Sequence, residues 1–123
     1  MILVDTSVWI DHLHRRDEHL ASLLERDEVG CHPMVIEELA LGSVRDRATV
    51  IGLLASLWSF PVVSHDEVMV LVDRQQLWGR GLSAVDAHLM GSAMVVRGGQ
   101  LWTRDKRLRT ACEEQGVAAT TPR

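Results

Sequence analysis

Apolar residues in this chain follow two rhythms. Short unbroken runs, such as Ile2-Leu3-Val4 and Leu101-Trp102, have the length and flanks of buried strands. Between such runs lie longer stretches with apolar residues three and four apart, as with Leu20, Leu23 and Leu24, which share one helical face. The alternation predicts strands near 1–5, 29–32, 61–63, 100–103 and 116–119. Helices are predicted over 7–14, 17–27, 33–41, 46–58, 64–78 and 106–115, with another from 83 to the Gly98-Gly99 pair. Pro33 suits a first helical position, where its missing N–H costs nothing. Ser64 with Glu67, and Ser83 with Asp86, have the spacing of capping boxes. Strands alternating with helices imply an α/β fold with a mostly parallel sheet of about five short strands.

The length of 123 residues fits one domain spanning 1–123, large enough to bury a core without staples. An apolar content of 46% and a charged content of 24% are those of an ordinary globule. No apolar run approaches the roughly 18 residues that would span a membrane. No basic segment followed by an apolar stretch opens the chain, so no secretion signal is expected. Cys31 and Cys112 each lack a neighbouring cysteine, which argues against a zinc motif, and a reduced, cytoplasmic setting is expected.

The net charge of −4 speaks against a nucleic-acid partner, but its distribution changes the picture. Twelve of the thirteen basic residues are Arg, which suits bidentate phosphate recognition. Four basic residues crowd together at Arg104, Lys106, Arg107 and Arg109. A solvated helix face and a phosphate-binding edge are both open readings of that run.

Four acids stand where acids are costly. Asp5 ends the first strand; it is a helix cap or a site residue at a sheet's C-terminal rim, where α/β sheets build their sites. If it is a site residue, Thr6 or Ser7 is left to cap the helix. Glu38 falls on or beside the apolar stripe of its helix, where an unpaired carboxylate is disfavoured unless it reaches solvent. Asp86 has Leu89, Met90 and Ala93 as its helical neighbours, so its face points inward at the helix's positive end. Asp105 follows the strand end Leu101-Trp102-Thr103 and is a second cap or a second site residue. The four could converge at one end of a parallel sheet. Carboxylates about 5 Å apart repel by roughly 3 kcal/mol per pair at an effective dielectric near 20. Cations would relieve that repulsion, and an all-oxygen acidic site suits Mg²⁺ or Mn²⁺.

Four stretches carry a resemblance. They are Ile2-Leu3-Val4-Asp5-Thr6-Ser7-Val8-Trp9-Ile10, Val35-Ile36-Glu37-Glu38-Leu39-Ala40-Leu41-Gly42, Leu82-Ser83-Ala84-Val85-Asp86-Ala87-His88-Leu89 and Leu101-Trp102-Thr103-Arg104-Asp105. In order and spacing they resemble the PIN-domain family, and within it the VapC-type toxins of bacterial toxin–antitoxin pairs. The resemblance covers essentially the whole chain and departs from the usual form at His88 and Met90. It implies a three-layer α/β/α fold and metal-dependent endoribonuclease activity on an RNA substrate. It implies a catalytic and metal-binding quartet of Asp5, Glu38, Asp86 and Asp105, with Mg²⁺ or Mn²⁺ as cofactor and Thr6 and Thr103 as supporting hydrogen-bonders. It implies further a VapB-like antitoxin that blocks the site, and a homodimer within the larger complex.

Two other readings compete. A PIN-like fold could bind RNA without cutting it, although none of the four acids is lost. An aspartate-nucleophile phosphatase wants a second acid two residues after the first, where this chain has Ser7. The histidines are expected in surface, capping or packing roles, His32 starting a helix and His88 packed. Trp9, Trp58, Trp78 and Trp102 are expected in the core or at an interface, Trp9 and Trp58 being dimer candidates.

Overall fold

The structure is a computed structural model that describes residues 1–120. The elements run β1 (Ile2–Val4), α1 (Thr6–His14), α2 (Glu18–Glu25), β2 (Val29–Cys31), α3 (Pro33–Leu41), α4 (Arg47–Ser56), β3 (Trp58–Ser59), α5 (His65–Arg74), α6 (Ala84–Val95), β4 (Gln100–Trp102) and α7 (Lys106–Glu114). The sheet order is β3-β2-β1-β4 and every pairing is parallel. This is the three-layer α/β/α arrangement.

Strands β1 and β4 are covered on both faces. Leu3 and Val4 in β1 and Leu101 in β4 are buried, which is why these strands are apolar runs rather than alternating ones. From β1 to β3 the chain winds one way; from β3 it returns across the sheet to place β4 on the other side of β1. Because parallel crossovers are right-handed, this reversal puts α5 and α6 on the face opposite α1 to α4. It also opens a crevice between the C-terminal ends of β1 and β4, the topological switch point where α/β sheets hold their sites. Val4 pairs with Trp102, so Asp5 and Thr103 emerge side by side.

The expected elements are present with three corrections. The third strand lies at Trp58–Ser59, not 61–63, and it cuts the preceding helix at Ser56. Its pairing with Gly30 and Cys31 overrides the helical periodicity that runs through Trp58. The fifth strand reduces to a single bridge between Leu101 and Ala118, so the sheet has four strands. The helix expected to reach 78 ends at Arg74, where Gln76 turns the chain with a φ of 52°. Trp9 is buried, which removes it as a dimer contact, whereas Trp58 and Trp78 are exposed.

Gly30 is fixed by packing. A Cβ there would lie 2.5 Å from Cε2 of Phe60 and 2.9 Å from the carbonyl oxygen of Trp58. The ring of Phe60, itself buried, occupies the space a side chain would need.

Candidate active site

Asp5 leaves β1 at the switch point and is buried to 9% exposure. Its Oδ1 accepts the Thr6 amide at 2.8 Å, and its Oδ2 accepts the Thr103 hydroxyl at 2.7 Å. Asp5 is therefore the N-cap of α1, one of the two readings the sequence left open for it, and neither Thr6 nor Ser7 takes that place. Capping uses one oxygen and leaves the other to face β4. Burial pushes the Asp5 carboxyl above its ordinary value; the bonds from Thr103 and Thr6 counter this, and the charges of Asp86 and Glu38 add to the rise.

Glu38 comes from α3 and is exposed, so the buried-stripe alternative does not hold. Its Oε1 accepts the Thr6 hydroxyl at 2.6 Å, which ties α3 to the start of α1. Asp86 is partly buried in the first turn of α6. A complete capping box holds it: Oδ2 accepts the Ser83 amide at 3.0 Å, and the Ser83 hydroxyl accepts the Asp86 amide at 3.0 Å. Asp105 caps α7, its Oδ1 accepting the amides of Arg107 and Leu108 at 2.8 and 3.2 Å. Its own amide donates to Thr103 Oγ1 at 3.1 Å, so Thr103 links Asp105 to Asp5.

All four acids line one open pocket of about 400 Å³, together with Thr6, Ser7 and Arg104. The four share a pocket, not a coordination sphere. Among the described residues no three Asp, Glu, His or Cys side chains stand close enough to ligate one ion. Each carboxylate is held by its own helix terminus or hydroxyl, and like charges without a cation between them have no reason to close up. The chemistry of the donors nevertheless suits a hard divalent cation. All are carboxylate oxygens with lone pairs to spare, and no Arg, Lys or His among the described residues forms an ion pair with any of the four.

The structure adds three residues that sequence reasoning missed here. Ser7 lines the pocket with a buried hydroxyl that has no partner among the described residues. Asp11 and Asp17 hold the guanidinium of Arg104, with Asp11 Oδ2 at 2.6 Å from Nε and Asp17 Oδ2 at 3.4 Å from Nη2. Asp17 also caps α2 through the Leu20 amide, and that bond first, then Arg104, lowers its carboxyl pKa. No local pattern marks Asp11 or Asp17 as an Arg104 partner, because the contact spans the chain. Of the basic run, Arg104 alone lines the pocket; Lys106, Arg107 and Arg109 do not.

Two histidines have structural roles. His12 Nδ1 accepts the Asp17 amide at 3.0 Å, and His32 Nδ1 caps α3 by accepting the Met34 amide at 3.0 Å. Cys31 and Cys112 are free and buried. Burial pushes the Cys112 thiol up to about 12, with Asp5 and Asp86 adding to the shift.

A sheet order of 3-2-1-4 with four acids at the switch point places the chain in a definite class. The PIN domain family model matches residues 2–114, and the chain belongs to that family, in its VapC-type branch. Ribonuclease VapC32 of Mycobacterium tuberculosis (strain CDC 1551 / Oshkosh) is 65% identical over 118 residues, which cover 96% of this chain and 95% of that protein. The protein of the same name from strain ATCC 25618 / H37Rv is also 65% identical, with the same coverage.

Proposed function

We propose that this chain is a divalent-metal-dependent endoribonuclease, the toxin of a type II VapBC-like toxin–antitoxin pair. The observation that carries the proposal is the shared pocket of Asp5, Glu38, Asp86 and Asp105 at the C-terminal ends of β1 and β4. The similarity to a protein named a ribonuclease supports RNA as the substrate.

Asp5 and Asp86 would hold Mg²⁺ or Mn²⁺, and Asp105 and Glu38 would complete the set. When bound, the ion supplies a Lewis acid that activates water and offsets charge developing on the phosphate. The chain's own residues pre-position the acids. The Thr103 hydroxyl fixes one oxygen of Asp5, Thr6 fixes one oxygen of Glu38, and the Ser83 amide fixes one oxygen of Asp86. These bonds fix where each acid stands in the pocket; to share one ion the acids would still have to draw together. The partly buried floor at Asp5 and Asp86 would strengthen their attraction for a divalent cation. Water, not the ribose 2′-hydroxyl, attacks, so the products carry 5′-phosphate and 3′-hydroxyl ends.

The proposal includes a cytoplasmic location, one functional domain over 1–123, a homodimer, and a VapB-like antitoxin that covers the acidic pocket. No helix among the described residues is long and apolar enough to cross a membrane. The test is incubation of labelled RNA with wild type and Asp5→Asn, in Mg²⁺ or Mn²⁺ and in EDTA. Metal-dependent cleavage by wild type alone supports the reading. Cleavage in EDTA, full activity in Asp5→Asn, or a 2′,3′-cyclic phosphate product overturns it. Binding without cleavage under every condition leaves the chain an RNA-binding module. Co-expression of a short DNA-binding protein encoded next to this gene should relieve growth arrest.

A further inference from the structure

Arg104 stands in an unusual place: a cation on the wall of a pocket with four acids, paired with none of them. Its charge goes outward instead. Nε meets Asp11 on α1 and Nη2 meets Asp17 at the start of α2, and the guanidinium carbon lies 5.8 Å from the centre of the Trp102 ring. Nη1 makes no hydrogen bond among the described residues, so both of its N–H groups are free. The arrangement has an electrostatic cost and a use. A guanidinium free to choose would fall onto Glu38, Asp86 or Asp105 and neutralise the site. Two acids outside the pocket remove that option and keep a cation at its edge.

We propose that Arg104 holds a phosphodiester of the RNA backbone at this pocket, and that Asp11 and Asp17 are positioning residues that keep its guanidinium off the four acids. The inference rests on the endoribonuclease reading. It narrows the basic run to one member. Arg is suited to the task because its fork keeps a fixed orientation while one edge is anchored and another is offered. The anchors come from α1 and from the N-cap of α2, so these two helices set where the substrate backbone lies relative to Asp5.

The experiment uses a labelled random-sequence 20-nucleotide RNA, with binding followed by anisotropy across a salt series. Binding is measured in the Asp5→Asn background to prevent cleavage, and cleavage in the otherwise wild-type chain. Arg104→Ala should weaken binding about 10- to 100-fold, the range for a hydrogen bond to a charged group. It should also reduce the salt slope by about 0.7, the value for one phosphate contact on a single strand. Arg104→Lys should restore the slope and only part of the affinity. Asp11→Asn discriminates best. Charge alone says that removing an acid tightens RNA binding; a positioning role says that binding weakens, with KM raised more than kcat is lowered. Melting curves of each variant identify any that fail to fold, and Arg104→Lys then carries the test. An unchanged salt slope in Arg104→Ala, or tighter binding in Asp11→Asn, overturns the inference while metal-dependent cleavage by wild type leaves the endoribonuclease reading standing. Absence of any RNA binding in the Asp5→Asn background and of cleavage by wild type overturns both.

Discussion

Replacing Asp5 by Asn should abolish cleavage and also make the protein more stable. Asp5 is 9% exposed, and burial outweighs the hydrogen bonds from Thr103 and Thr6 that favour its charge. The charges of Asp86 and Glu38 push the same way as burial, so the folded carboxyl titrates above its ordinary value of 3.8. A group whose folded pKa is raised contributes stability that is fully present below the unfolded pKa and is lost as pH rises through the folded one. At neutral pH the ionised carboxylate is therefore a liability to the fold. Asn keeps the shape. Its carbonyl oxygen can accept the Thr6 amide, and its amide can donate to Thr103 Oγ1 once that hydroxyl turns. A gain on the order of 1 kcal/mol, common when a functional-site strain is relieved, raises Tm by about 3–5 °C for a chain of this length. The assay is thermal unfolding followed by circular dichroism at pH 7 in EDTA. The gap should narrow as pH falls and Asp5 takes up its proton. Added Mg²⁺ should raise the Tm of wild type by mass action and that of Asp5→Asn much less. A Tm for Asp5→Asn at or below wild type in EDTA would refute the reasoning, because the hydrogen bonds would then outweigh burial and repulsion.

Three further outcomes are expected. Ser83→Ala removes the hydroxyl that caps α6 and should cost about 1 kcal/mol in urea unfolding while slowing cleavage several-fold. Ser64→Ala removes the same device from α5, away from the acids, and should cost as much stability with cleavage unchanged. Gly30→Ala should destabilise by about 1–3 kcal/mol through overpacking against Phe60 and the Trp58 carbonyl. Gly52→Ala in α4, where a new Cβ meets nothing within 4 Å, should not destabilise, and equal urea midpoints for the two variants would contradict the packing account. His32 is fully buried with its pKa lowered by burial and then by His88, and its unprotonated Nδ1 caps α3. Its stabilising share is present above its ordinary value of 6.5 and is lost as pH falls below it and through the folded value. His32→Asn keeps a capping acceptor and should lessen the loss of stability below pH 6.5; identical pH profiles would exclude His32 as a source.

Much of the fold was legible because its signals are local. Asp5 and Asp105 stand at strand ends that apolar runs mark on both sides, and Ser83-x-x-Asp86 announces its helix start. The misplaced elements are those that tertiary contacts decide. Trp58 fits the period of the helix before it, and only pairing with Gly30 makes it a strand. Residues 116–119 have strand composition, yet a single bridge to Leu101 is all the pairing they make. At the site, positions were legible and partners were not. Each acid could be named from its place in an element, whereas Thr103 bonding Asp5 across 98 residues leaves no trace in spacing. Asp11 gave no signal at all, because an exposed helical Asp looks the same whether or not an Arg from another element reaches it.

The pairing of β1 with β4 also governs when the site can exist. During synthesis β1 leaves the ribosome well before β4, and β2 soon gives β1 a neighbour. The other flank of β1 stays open through β3, α5 and α6. Until β4 arrives, Asp5 has no hydroxyl from Thr103, and the pocket lacks Asp105. A nascent chain therefore carries three of the four acids without the strand that sets them beside the fourth. Only the arrival of β4 completes the pocket, so any activity it has cannot begin before that strand has formed.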